Sequence, residues 1–174
     1  MSAQVAFEVL GVPVPKGNMR AYTPKGWSRP IITDMTKNVK PWQASIADAA
    51  RQAMAERPPL DGPVVLVVRF FMPRPKSAPK RVRHPTTKPD LDKLLRALKD
   101  GLTRAGVYRD DSQVVYVVAR KEFAAGTSDP WRDAGVPRAV VELDQVVGEA
   151  VPEQLGLSEA LNHACAPHGG ASRQ

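Results

Sequence analysis

The chain has 174 residues and a formal net charge of +7, from 25 Lys and Arg against 18 Asp and Glu, with an isoelectric point near 9.8. That length supports one domain with a real hydrophobic core, and the positive balance favours a polyanionic partner. The single cysteine, Cys165, excludes an internal disulfide; no apolar run approaches the roughly 20 residues that cross a bilayer, and MSAQVAFEVLG lacks the basic and apolar regions of a signal peptide, so a cytoplasmic protein with no membrane partner is expected.

Val5, Phe7 and Val9 alternate with Ala6, Glu8 and Leu10, which predicts a first strand ending at Gly11. The following VPVPKGNMRAYTPKGWSRPIIT, rich in proline, glycine and basic residues, reads as an exposed loop or loose hairpin. Trp42, Ile46, Ala49, Ala50 and Met54 recur at helical spacing and predict a helix over roughly Asn38 to Ala55, with Pro41 in its first turn and Trp42 in the core. PPLDG is turn chemistry, and PVVLVVRFFM after it is a continuous apolar run, expected as a central strand buried on both faces. A second proline-rich basic segment, PRPKSAPKRVRHPTTKP, leads to Pro89. A buried strand is expected again from Gln113 to Ala119, and a last one from Arg138 to Val146. From about Gly148 onward the pattern predicts a weak helix and a frayed tail.

Between the basic segment and the fifth apolar run lies KPDLDKLLRALKDGLTRAGVYRDDSQVVYVVA, with five aspartates. Asp90, following Pro89, is a natural N-cap for a helix that carries Leu91, Leu94, Leu95, Leu98 and Leu102 on one face and stops near Gly106. On an ideal helix Asp90 and Asp92 point about 200° apart, so they share an ion only at the helix entrance, with Asp90 extended and Asp92 in the first turn. Spacing alone leaves an equal alternative: Asp90 as a cap only, Asp92, Arg96 and Asp100 as exposed pairs, and Asp110-Asp111 as a turn before a strand. A hard cation beside a cationic groove is what phosphodiester cleavage requires, and the acid-free basic stretch from Gly62 to Pro89 supplies the groove. Spacing does not bring Asp111 to Asp90 across a helix about 22 Å long.

PKGNMR, TPKGWSRPIIT, the strand followed by PRPKS, KPDLDKLLRALKDGLTRAG and VYRDDSQVV occur in an order that resembles the RusA-type Holliday junction resolvases, over approximately Phe7 to Glu142. The resemblance implies an α+β fold, a small mixed β-sheet with two main helices packed on it, acting as a homodimer. It implies an endonuclease domain over 1–147 and a C-terminal extension over 148–174. It further implies that Asp90, Asp92 and Asp111 bind one or two Mg²⁺ per subunit, with Mn²⁺ substituting, and that no small-molecule cofactor is used. Asp100 and Asp110 are then supporting acids. Two positions depart from the family: Lys93 stands where asparagine is common, and Arg96 where a functional lysine is common. Arginine stabilises charge and does not give up a proton at ordinary pH, so Arg96 has an electrostatic catalytic role in this reading.

The expected partner is branched DNA, cut at a four-way junction by two symmetric nicks. Phosphate contacts are expected from Lys16, Arg20, Lys25, Arg29, Arg74, Lys76, Lys80, Arg81, Arg83, Lys88 and Lys93, as a cluster rather than singly. Trp27 reads either as a base-stacking loop tip or as a side chain packed back onto the domain. His84, His163 and His168 form no zinc pattern with Cys165. Two other classes fit the same residues: a Mg²⁺ nuclease for other branched DNA or RNA, and a non-catalytic basic DNA-binding protein in which the aspartates are caps and turns.

Overall fold

The computed structural model describes residues 4–17, 19–34, 36–79, 81–124 and 135–146. Contacts divide the chain into two units, Ala3–Gln145 and the terminal Met1–Ser2 with Val146–Gln174, and all elements described lie in the first. The expected extension over 148–174, with Cys165, His163 and His168, lies outside the described residues, as does Lys80.

In chain order the elements are β1 Val5–Leu10, β2 Met19–Tyr22, β3 Ile31–Asp34, α1 Val39–Met54, β4 Val64–Met72, α2 Leu91–Ala105, a single 3₁₀ turn at Asp111–Gln113, β5 Val114–Phe123 and β6 Arg138–Gln145. β1, β6, β4 and β5 form a four-stranded sheet in that order, and β2 with β3 forms a separate hairpin. β4 pairs parallel with β5 and antiparallel with β6, so the sheet is mixed and the apolar run of β4 is central, as its composition predicts. The expectation of an α+β fold with two helices on a small mixed sheet agrees with this arrangement.

One face of the sheet is closed by the helices. α1 packs on α2 and on β1, and Trp42, Ile46, Ala50 and Met54 of α1 join Leu94, Leu98 and Leu102 of α2 in one core with Leu66, Val68 and Phe70 of β4. The two helices approach closely at Gly101, where an added Cβ would lie 2.7 Å from Ile46 Cγ2 and 2.9 Å from Ile46 Cβ. At the other end of the sheet Arg138, only 3% exposed, meets the Glu8 carboxylate at 2.8 Å and lies over the Phe71 ring at 4.1 Å.

One expected element is corrected. The strand from Gln113 is not buried: β5 is the sheet edge, extends to Phe123, and leaves Val115, Tyr116 and Val117 54%, 40% and 42% exposed. A run of apolar β-branched residues reads as two-faced burial because nothing local in it reports whether a neighbour strand lies on both sides.

Candidate metal centre and nucleic-acid face

α2 begins where the sequence predicts. Asp90 is its N-cap, in extended conformation at φ −71°, ψ 143°, Asp92 lies in the first turn, and Gly106 closes the helix in the left-handed region at φ 77°. The Lys88-Pro89 peptide just before it is cis. Although Asp90 holds the cap position, its side chain makes no capping hydrogen bond. Its Oδ2 instead accepts from Lys93 Nζ at 2.9 Å, one turn on. That hydrogen bond and charge, with Lys88 and Lys121 nearby, hold the Asp90 carboxyl below the usual carboxylate range, and the same contact, with the charge of Asp92, raises Lys93. Both carboxylates of the entrance therefore act on one ammonium. Lys93, expected among the phosphate contacts, is the partner of the first aspartate.

Lys121, near the end of β5, was not singled out by the sequence. Its Nζ donates to the carbonyls of Thr87 at 2.8 Å and Pro89 at 2.7 Å. β5 therefore runs back along α2 and brings its last residues, not its first, to the helix entrance. The alternation of Ala119, Lys121 and Phe123 with Arg120 and Glu122 is the signal that extends this strand past Ala119.

Asp111 opens the 3₁₀ turn at the opposite end of β5. Its Oδ2 lies 3.1 Å from Lys99 Nζ, and Lys99 is nine residues beyond Asp90, about 13 Å along the helix axis. Asp90 and Asp92 thus share one end of α2, Asp111 lies towards the other, and among the described residues no three acidic, histidine or cysteine side chains are grouped to hold an ion. Asp110 is a capping residue: it accepts from Ser112 N at 2.8 Å, Gln113 Oε1 returns to Asp110 N at 3.2 Å, and the Ser112 hydrogen bonds lower its pKa. Tyr108 Oη donates to Lys99 O at 3.2 Å, and burial pushes its phenol far above the ordinary value. Asp100 is held by Lys16 Nζ at 2.6 Å and by Gln43 Nε2 at 2.8 Å, while Lys16 N donates to Lys93 O at 2.9 Å, so the first basic segment is fastened along α2.

The basic residues divide by their contacts. Lys25, Arg29, Lys76, Arg81, Arg83, Lys88 and Arg96 are exposed. Arg74 folds its own loop, donating to Val82 O at 2.9 Å and Pro79 O at 2.8 Å while lying 4.8 Å over the Phe123 ring. Lys16 is committed to Asp100. Arg20 lies in β2. Trp27, at 62% exposure, is not packed back onto the domain, and it stands in the same segment as Lys25 and Arg29. No helix of the described residues is long and apolar enough to cross a membrane.

Oxygen donors of this kind fit a hard divalent cation: Mg²⁺ is commonly held by one or two carboxylates together with substrate phosphate and water. Asp90 and Asp92, at the helix entrance, are donors of this type, with Lys88 exposed beside them and Lys93 paired with Asp90.

The sequence profile of a family described as endodeoxyribonuclease RusA matches residues 11–143. A Bacillus subtilis (strain 168) protein described as uncharacterized protein YqaN is 32% identical over 130 residues, which span 69% of this chain and 88% of that protein. A crossover junction endodeoxyribonuclease rusA from Lactococcus phage r1t is 39% identical over 59 residues, 34% of this chain and 44% of the phage protein.

Proposed function

Because the chain belongs to the RusA endodeoxyribonuclease family, we propose that it resolves four-way DNA junctions by paired, symmetric nicks, as a Mg²⁺-dependent homodimer. The observation that carries the reading is the α2 entrance, where Asp90 at the N-cap and Asp92 in the first turn lie at one end of the helix, with Lys93 bound to Asp90 and Lys88 and Lys121 near it. A bare cap would turn its carboxylate onto the free backbone N–H groups of the first turn, and Asp90 makes no such bond.

When bound, Mg²⁺ supplies charge neutralisation at the phosphate and an acidified water for in-line attack. The chain's own part is to hold and orient. Asp90 and Asp92 are the ligands, Lys93 keeps Asp90 ionised and in place, and Lys88 and Arg96 offer fixed positive charge to the phosphate. The exposed Lys76, Arg81 and Arg83, with Lys25 and Arg29, bind neighbouring phosphates, and Trp27 offers a stacking face to an unpaired base.

In this reading the third carboxylate, Asp111, comes from a second chain, since within one chain it is held by Lys99 towards the other end of α2. β5, which starts beside Asp111, exposes apolar side chains on an unpaired edge, the kind of surface a second copy covers. A twofold dimer also suits a substrate with two equivalent strands to cut.

The test is cleavage of a synthetic mobile four-way junction with Mg²⁺, without metal, and with Asp92→Asn. Paired nicks only with Mg²⁺, and a variant that binds the junction but cuts at least 100-fold more slowly, on the order seen when a key electrostatic group is removed, are expected. Undiminished cutting by Asp92→Asn, or cutting without metal, overturns the assignment. Faster cutting of Y-shaped or linear DNA than of the junction would redirect it to another branched substrate.

A further inference from the structure

We propose that Lys121 is a positioning residue of the metal site: its ammonium ties down the backbone that presents Asp90 and Asp92, so that the pair is set before an ion arrives. The inference rests on reading those aspartates as ion ligands.

The segment between β4 and α2 belongs to neither a ladder nor a helix, and Pro85 and Pro89 offer no backbone N–H. A segment of this kind needs fixing from outside. Lys121 supplies it through the carbonyls of Thr87 and Pro89, at 2.8 and 2.7 Å, one of them belonging to the residue immediately before Asp90. The lysine is itself well anchored, because the parallel ladder sets Lys121 opposite Phe70 of the central strand β4, and Phe70 is fully buried. The rigid middle of the sheet is thus connected through one side chain to the loop that carries the ligands.

Asp90 needs such a fixture because the helix backbone does not hold its carboxylate, which makes no cap bond. With only Lys93 to hold it, the Asp90 side chain depends on where Pro89 leaves the backbone. Residues that orient metal ligands from behind act this way, and their loss weakens metal binding even when every ligand remains.

The experiment uses the full chain and Mn²⁺ as a spectroscopically visible ion, with free Mn²⁺ counted by electron paramagnetic resonance alongside thermal melting. Lys121→Met and Lys121→Gln are expected to weaken Mn²⁺ binding by about 10–100-fold, with a parallel rise in the Mg²⁺ needed for half-maximal junction cutting. Lys121→Arg should restore most of the affinity, since a guanidinium has donors for both carbonyls. If Lys121→Met does not fold, Lys121→Gln carries the comparison. Wild-type Mn²⁺ affinity in the Met or Gln variant, whatever its melting temperature, would reduce Lys121 to a fold-stabilising contact and sink the proposal. Asp92→Asn run in parallel separates the two levels. If it binds Mn²⁺ as the wild type does, the ligand reading itself fails; if it loses Mn²⁺ while Lys121→Met keeps it, only the inference about Lys121 fails.

Discussion

At the scale of single residues, a carboxylate in the N-cap position of α2 is bound to a lysine side chain one turn on rather than to the backbone of the first turn. Because Lys93 holds Asp90 below the usual carboxylate range, the pair contributes to the fold above that range and its contribution is lost as pH falls through the depressed value. Removing the lysine should therefore move the titration upward. In Lys93→Met, the Asp90 carboxyl followed by NMR is expected to titrate nearer the ordinary carboxylate value, and an unchanged midpoint would show that Lys93 is solvated. Both side chains are largely open to water, so the effect should shrink with added salt. Two neighbouring acids have settled structural duties: Asp100 fastens Lys16 and Gln43, and Asp110 caps the 3₁₀ turn.

At the scale of elements, the placing of α2 depends on its seat against α1. Gly101 faces Ile46 with no room for a Cβ, so Gly101→Val should force the helices apart at a cost on the order of 1–3 kcal/mol, only partly offset by the better helix propensity of a residue other than glycine. Thermal denaturation should show a clear fall in melting temperature, and a rise would mean that the helices slide without penalty. β5 is the other decisive element. Its exposed Val115, Tyr116 and Val117 should be covered in solution, and Val117→Lys is expected to turn dimer into monomer by analytical ultracentrifugation while leaving the monomer's circular dichroism intact. A dimer that survives this change would place the contact elsewhere.

At the scale of the whole molecule, the separation of Asp111 from the Asp90 and Asp92 pair gives a sharp expectation. If a working site takes Asp90 and Asp92 from one chain and Asp111 from another, then Asp90→Asn and Asp111→Asn proteins, each inactive alone, should regain cutting when mixed and allowed to exchange subunits. The mixed dimer has one intact site, so single nicks should dominate over paired ones, read on a denaturing gel. Mixtures that remain inactive, with exchange verified by mass, would return Asp111 to its own chain or to no metal role.

Local chemistry alone determined much of this protein. The alternation of β1, the apolar run of β4, the leucine face of α2 and its limits at Asp90 and Gly106 were legible because each depends on a period or a cap contained within a few residues. The ordered motifs around KPDLDKLL and VYRDDSQVV likewise carried the family. Tertiary structure alone decided that the last apolar strand but one lies at an edge, that Lys121 reaches back more than 30 residues to Pro89, and that Asp111 is held towards the far end of α2. Those outcomes follow from strand order and from the direction in which β5 returns along the helix. Neither is encoded in any short window, because each is fixed by which surfaces remain to be buried once β4 has taken its place between β6 and β5.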